Sequence, residues 1–173
     1  GEIVRFGGKT VKNVTAYDMV RLFTGSEGTL GIITEILVRL IPAPEARETM
    51  LATFGDLASA GRSITGIIQS KVIPATMEIM DRVTMETVEN YARIGLPTEA
   101  EAILLVEVDG IPEVVRREAA AVREVINRNG GTVKSAASEE ERDQLWAARR
   151  AALPALARKR PTTILEDATV PRS

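Results

Sequence analysis

The sequence contains neither cysteine nor histidine, and each absence removes a class of chemistry from these 173 residues. A disulfide framework, a thiol nucleophile, a zinc finger and a histidine general base are all excluded within them. Aromatic residues make up only 3% of the chain, with a single tryptophan. Any chemistry carried here must therefore use carboxylates, lysine, arginine, tyrosine, backbone amides or a bound cofactor.

The sequence also lacks a large excess of either charge sign and a long hydrophobic run. The 22 Lys and Arg residues nearly balance the 24 Asp and Glu residues, so the basic surplus of a nucleic-acid-binding protein is absent. The most apolar stretch, residues 30–44, is interrupted by Thr34, Glu35 and Arg39, and it is shorter than the roughly 18 apolar residues of a membrane span. We therefore expect no nucleic-acid partner, no transmembrane segment and a cytoplasmic protein. Because the first residue is Gly1, we expect the natural amino terminus to lie upstream.

Two proline residues divide the chain into parts with different patterns. Residues 1–41 are typical of short strands and a turn of helix around a glycine-rich loop, which is followed by a mostly buried strand predicted over residues 32–41. Pro42 and Pro44 cannot continue a strand ladder, so we predict a domain boundary at residues 42–46.

After this boundary, strands and helices alternate. The patterns predict strands over residues 47–54, 75–81, 102–108 and 132–135, and helices over residues 56–70, 82–93, 112–128 and 139–153. Ser138 and Glu141 have the spacing of a capping box, Gly130 and Gly131 close the third helix, and Pro154 is expected to kink or end the fourth. A last strand is predicted over residues 162–170. Two tandem β-α-β units match the split β-α-β, ferredoxin-like arrangement, so the predicted class is α+β.

The most informative segment is the run Gly25-Ser26-Glu27-Gly28-Thr29-Leu30-Gly31-Ile32. Its glycines allow either a tight structural turn or a cradle in which backbone amides approach a ligand closely. A Walker loop is excluded because the Gly-Lys-Ser/Thr ending is missing. The Rossmann pattern is excluded because a predicted strand, not a helix, follows the glycines.

Residues 17–35, which include this run, resemble the signature that closes the flavin-binding domain of FAD-linked oxidases. This family includes the glycolate oxidase flavoprotein subunit and the D-lactate and D-2-hydroxyglutarate dehydrogenases. Residues 1–5, 10–14, 146–150 and 166–172 also resemble segments of these enzymes. The resemblance therefore extends over essentially the whole chain.

The resemblance implies both a domain organisation and a set of site residues. Residues 1–42 would be the C-terminal part of an FAD-binding domain of the vanillyl-alcohol-oxidase (PCMH) type, and residues 43–173 a ferredoxin-like substrate domain that is incomplete at its C-terminal end. Arg149 matches the position that binds the substrate carboxylate, a role for which the planar guanidinium fork is suited. The residues matching FAD-binding positions are Ser26, Glu27, Gly28, Leu30, Gly31 and Ile32.

By the same resemblance, the parent enzyme would oxidise a small 2-hydroxy acid, glycolate or D-lactate, by hydride transfer to FAD. Leu153 and Leu165 stand where the 2-hydroxyglutarate enzymes have Thr and Lys, which argues against a second substrate carboxylate. The family's metal ligands and base come from a His-rich motif outside these residues, so no metal site and no catalytic residue is predicted here. We expect the chain by itself neither to retain FAD nor to turn over. Iron–sulfur and second flavoprotein subunits are implied partners, through which the enzyme could associate with a membrane.

Two other functions fit parts of the sequence. Residues 47–135 alone would suit a stand-alone ferredoxin-like module that binds a small ligand or a partner chain. The same scaffold would also suit an FAD oxidase of another substrate class, such as an alditol or an alkyl lipid. The glycine-rich loop of the first 41 residues argues against the module, because such a module has no need for it.

Overall fold

The computed structural model describes residues 1–160, 162–166 and 168–169. The chain divides into two compact units, Gly1–Ala43 and Pro44–Ser173, and each is considered by itself. The first unit contains one short helix, α1 (Met19–Phe23). Asp18 caps this helix by accepting a hydrogen bond from the Arg21 N–H at 3.1 Å.

The second unit alternates strands and helices in the order expected from the sequence. The boundaries of these elements lie close to the predicted ones except at the end of the last helix. They are β1 (Ala46–Phe54), α2 (Leu57–Gln69), β2 (Thr76–Asp81), α3 (Arg82–Ala92), β3 (Ala102–Gly110), α4 (Pro112–Arg128), β4 (Thr132–Ser135) and α5 (Glu139–Lys159).

The four strands form one antiparallel sheet in the order β2-β3-β1-β4. Met50 of β1 lies opposite Val106 of β3 on one side and Ser135 of β4 on the other. Because β1 and β2 both run antiparallel to β3, they are parallel to each other with β3 between them. The mixed α/β class with a single antiparallel sheet follows directly from this pairing.

Helices cover both faces of the sheet. On one face, α2 and α4 pack against side chains such as Phe54 and Leu104. On the other, α3 and α5 pack against side chains such as Met80 and Ile103. The central strand β3 is therefore buried on both faces from Ala102 to Val108, which is why its sequence is a nearly continuous apolar run.

Local signals fix the end of α4 and the start of α5 as predicted. Gly130 has a φ of 81°, its N–H donates to the Asn127 carbonyl, and the Gly131 N–H donates to the Ile126 carbonyl, which is the Schellman ending of α4. At the start of α5, the Glu141 N–H donates to Ser138 Oγ at 3.2 Å. The Glu141 carboxylate accepts from the Ala137 N–H at 2.7 Å rather than from the Ser138 N–H of the usual capping box.

The predicted strand over residues 32–41 is wrong, as are the other short strands expected in residues 1–41. Within the first unit, which the structure describes completely, α1 is the only helix or strand. Aliphatic side chains of the segment stand largely in solvent, including Ile32, Ile36 and Leu40. A strand exists only where its N–H and C=O groups pair with a neighbour, and no segment of this unit supplies one.

The prediction that Pro154 ends or kinks the last helix is wrong about the end, because α5 continues to Lys159. Proline inside a helix costs about 3 kcal/mol. Packing against α3 offsets this cost, with Ala148 and Ala155 fully buried between the helices. Past the proline, Lys159 Nζ donates to Thr87 Oγ1 at 3.2 Å. The predicted strand over residues 162–170 is absent from 162–166 and 168–169, and its remaining residues, 167 and 170, lie outside the described part.

A single carboxylate holds the loop that follows α3. Glu89 accepts hydrogen bonds from three successive backbone N–H groups, those of Ile94, Gly95 and Leu96, at 3.2, 3.1 and 2.9 Å. These bonds lower the pKa of Glu89, and the bond from Leu96 has the largest effect. The ionised carboxylate therefore stabilises the fold, because the hydrogen bonds favour its charged form.

Glu89→Gln is expected to lower the free energy of unfolding at neutral pH by about 1 kcal/mol, because an amide nitrogen cannot accept a hydrogen bond. A carboxyl group with a depressed pKa stabilises the folded state above its unfolded pKa of about 4.3, and this contribution disappears as the pH falls through the folded pKa. Urea unfolding at several pH values should therefore show a shallower acid loss in the variant. Glu99→Gln, at an exposed position, is the control. Equal acid loss in wild type and Glu89→Gln would contradict the assignment.

Candidate functional site

The glycine-rich loop leaves α1 through two consecutive tight turns. Gly25, Glu27 and Gly28 all have positive φ values, 82°, 50° and 77°. The Ser26 N–H donates to the Phe23 carbonyl at 3.1 Å, and the Thr29 N–H and Oγ1 both donate to the Ser26 carbonyl, at 2.9 and 2.7 Å. The left-handed backbone explains the glycines at 25 and 28, since space around both positions is open and packing does not require them.

One polar atom of this loop has no partner. Ser26 Oγ is buried, yet it forms no hydrogen bond with any residue that the structure describes. Buried hydroxyl groups are nearly always bonded, so an unbonded one at a glycine-rich turn is a place where a ligand oxygen or nitrogen fits. The loop thus offers a hydroxyl group and a closely approachable backbone, which is the donor set suited to a nucleotide cofactor.

The remaining loop residues predicted to contact FAD flank this hydroxyl in sequence. Leu30 and Ile32 are exposed, with 52% and 92% of their surface accessible. A Cβ atom at Gly31 would lie 3.3 Å from the Phe23 ring, and that ring is 5.2 Å from the ring of Phe6. Gly31 therefore packs tightly on an aromatic pair, whereas Leu30 and Ile32 expose apolar surface.

In the second unit, Arg149 lies on α5 and forms an ion pair with the edge strand β2. Its Nε donates a hydrogen bond to Glu78 Oε1 at 3.1 Å, and its Nη2 lies 3.0 Å from the same oxygen. Both side chains remain partly exposed, 51% for Arg149 and 32% for Glu78. The predicted carboxylate-binding arginine is thus accessible at the surface of its own unit.

A buried carboxylate lies on the same face of the sheet. Glu107 of β3 accepts hydrogen bonds from Thr49 Oγ1 at 2.5 Å and from Trp146 Nε1 at 3.0 Å, both at Oε2. The only tryptophan therefore attaches α5 to the central strand. Trp146 and Arg149 are three residues apart on the helix, so one face of α5 makes both attachments.

Sequence reasoning identified Arg149 but missed Glu78, Glu107 and Thr49. One signal for Glu107 was present, because a lone carboxylate interrupts the apolar run 102–108. The neighbouring Arg142 has a raised pKa, chiefly because its guanidinium donates to Asp143, with Glu139 and Glu107 contributing attraction. Negative charge therefore surrounds the first turns of α5.

No group of three or more His, Cys, Asp or Glu side chains is arranged to hold a metal ion in the described part. No helix within residues 1–160, 162–166 and 168–169 is both long and apolar enough to cross a membrane.

Comparison with known proteins gives a consistent match. Residues 43–173 match the family model "FAD linked oxidases, C-terminal domain". The glycolate oxidase subunit GlcD of Bacillus subtilis is 51% identical over 100% of this chain, and that of Escherichia coli K12 is 37% identical over 99%. A probable mitochondrial D-lactate dehydrogenase of Danio rerio is 31% identical over 83% of the chain.

The chain covers 37%, 34% and 29% of these three relatives, so it spans about a third of their length. Among solved structures, an alkyldihydroxyacetonephosphate synthase shares the fold over 86% of this chain and 30% of its own, with a TM-score of 0.61 and 22% identity. The matched family model covers most of the sequence, including β1 to α5. The chain belongs to the FAD-linked oxidase family.

Proposed function

We propose that this chain is part of a flavin-dependent oxidoreductase that oxidises a small 2-hydroxy acid, glycolate or D-lactate. The observation that carries this proposal is the accessible guanidinium of Arg149, in a chain 51% identical to a glycolate oxidase subunit. A planar cation at the surface of a substrate domain is suited to bind a carboxylate through two parallel hydrogen bonds. When bound, FAD would supply the acceptor for the hydride that leaves the hydroxyl-bearing carbon, a base outside these residues would take the hydroxyl proton, and the product would be the 2-oxo acid.

The domain assignment forms part of the proposal. Residues 1–42 would be the C-terminal part of an FAD-binding domain of the vanillyl-alcohol-oxidase type, and residues 43–173 a ferredoxin-like substrate domain. The strand order β2-β3-β1-β4 supports the second assignment. In this order β1 and β2 are parallel and flank the antiparallel β3, and β3 and β4 are parallel and flank the antiparallel β1, as in a split β-α-β fold.

Residues of the glycine-rich loop would hold the cofactor. The unpartnered Ser26 hydroxyl would bond a polar atom of FAD, and the backbone at Glu27, Gly28 and Gly31 would approach it closely. Leu30 and Ile32 would cover apolar surface of the cofactor, which accounts for their exposure in this unit. The loop thus contributes binding and orientation.

Substrate size would be set near Arg149. Leu153 follows one turn later on α5 and exposes 47% of its surface, and Leu165 is also exposed. Neither side chain can bind a second carboxylate, so the proposed substrate has only one. A leucine near the substrate would instead favour a short apolar end, as in D-lactate, or none, as in glycolate.

Partners are proposed from the relatives' names alone. Both bacterial relatives are called subunits of glycolate oxidase, so we propose that the full-length protein assembles with further subunits. Iron–sulfur and second flavoprotein subunits, a cytoplasmic location and membrane association through those subunits all stay predictions.

Anaerobic reduction of the flavin tests the proposed function. The full-length protein, purified with FAD, should lose its yellow absorbance when mixed with glycolate or D-lactate, and should keep it with an alditol. Reduction by an alditol but by neither acid would assign the chain to another substrate class. The 173-residue chain purified in parallel should be colourless, and a stoichiometric yellow protein would contradict the expectation that it does not retain FAD.

A further inference from the structure

The ion pair between Arg149 and Glu78 uses only one edge of the guanidinium. Nε donates a hydrogen bond to Glu78 Oε1 at 3.1 Å, and Nη2 lies 3.0 Å from the same oxygen as an ion-pair contact. A guanidinium has five N–H groups. The two on the Nε–Nη2 edge face Glu78, which leaves three: the second hydrogen on Nη2 and both on Nη1. Within the described ranges, none of these three makes a hydrogen bond to the protein. The end-on edge formed by Nη1 and Nη2 is therefore available for a second carboxylate.

The two carboxylates would not compete for the same hydrogens. Glu78 occupies the side-on edge, and a substrate carboxylate binding through two parallel hydrogen bonds fits the end-on edge. Glu78 lies on β2 between Met77 and Ile79, and its Cα position is held by pairing with Leu105 of β3. The Glu78 side chain, on a paired strand, thus fixes the direction of the longer Arg149 side chain on α5.

Without Glu78, the guanidinium would lose this fixed direction. Arg149 is 51% exposed and its side chain has several rotatable bonds, and Glu78 is its only hydrogen-bonding or ion-pair partner among the described residues. Preorganised donors bind an anion better than donors that must first be ordered.

From this geometry we infer that Glu78 is a positioning residue, which holds the side-on edge of Arg149 so that the end-on edge faces the carboxylate of the 2-hydroxy acid. The inference rests on the proposed function, because it assigns the substrate carboxylate to Arg149. It adds a partner to that site that lies 71 residues away in sequence and on a different element.

A double-mutant cycle in the full-length, FAD-loaded enzyme tests the inference. Glu78→Ala, which removes the acceptor oxygen, should raise KM for the 2-hydroxy acid by about 3- to 10-fold and leave kcat within about twofold, because binding is weakened and the chemical step is not. Arg149→Ala should raise KM further. The double variant should match Arg149→Ala within about twofold, because Glu78 acts only through the arginine.

Two further variants separate positioning from charge and from folding. Glu78→Asp keeps the negative charge but shortens the side chain, so it should raise KM nearly as much as Glu78→Ala. Restoration of the wild-type KM by aspartate would indicate a role in charge balance alone and would overturn the inference. Glu124→Gln removes the partner of Arg128 from an ion pair on α4 and is the matched control, with no expected change in KM.

The outcomes distinguish the inference from the function on which it rests. If Arg149→Ala raises KM while Glu78→Ala leaves it unchanged or lowers it, the positioning role is wrong and the proposed function stands. If the fold-increase in KM of the double variant equals the product of the two single fold-increases, the positioning role is also wrong. If Arg149→Ala itself leaves KM unchanged, the carboxylate assignment fails, and the inference fails with it.

Discussion

Arg149→Ala in the full-length enzyme should raise KM for glycolate or D-lactate by about 10- to 100-fold, with kcat changed by less than about threefold. Hydrogen bonds to charged groups contribute roughly 1.5–3 kcal/mol each, and the variant removes the donor while the substrate keeps its charge. Steady-state kinetics and the substrate dependence of flavin reduction would both measure this effect. Arg149→Lys should give an intermediate KM, since an ammonium group retains the charge but not the fork.

Arg150 provides a matched control for this experiment. It is also exposed on α5, but it lies next to Arg149 in sequence and so points to a different side of the helix. Arg150→Ala should leave KM within about twofold. Equal effects of the two substitutions would show that overall charge, rather than a specific contact, attracts the substrate. An unchanged KM in Arg149→Ala would favour a substrate without a carboxylate.

Gly131→Ala should destabilise the second unit by about 3 kcal/mol, the largest stability effect expected for a single methyl group in this fold. A Cβ atom at this position would lie 2.5 Å from Phe54 Cε1 and 2.8 Å from Ile126 Cγ2, well inside van der Waals contact. Both neighbours belong to the core between the sheet and α4. To accommodate the methyl group, the Phe54 ring or the Schellman turn must shift.

The urea midpoint of the chain would measure this loss. Gly61→Ala is the control, because its Cβ would meet no atom within 4 Å and alanine favours the helix α2 in which it lies. That variant should gain about 0.5–1 kcal/mol. A midpoint for Gly131→Ala equal to that of wild type would mean that Phe54 moves aside without cost, contrary to the close packing described.

The second unit could be predicted from sequence because its signals are local. A capping serine at 138 and the left-handed glycine at 130 each determine nearby backbone without help from distant residues. Pro154 misled the prediction because its local cost is outweighed by burial of Ala148 and Ala155 against another helix. The strand predicted over residues 32–41 is wrong because a strand needs a neighbouring strand to pair with, and side-chain preference for strand structure does not provide that neighbour.

The candidate site was predictable only in part for the same reason. Arg149 was identified by resemblance, but its contact with Glu78 depends on where α5 packs against the edge of the sheet. The hydrophobic periodicity of the sequence does not predict that position. Thr49 and Glu107 are 58 residues apart and meet only through the register of β1 with β3. Ser26 was named from the motif, whereas the absence of a partner for its hydroxyl emerged only from the folded loop.

The exposed aliphatic side chains of residues 32–41 have a consequence for handling this chain by itself. Unpaired, β-branched segments of low charge are the typical starting points of aggregation. Thr34, Glu35 and Arg39 interrupt this segment, and Glu35 is also attached to Arg5 by an ion pair at 3.0 Å. These three polar residues are therefore expected to act as gatekeepers against aggregation of the isolated chain.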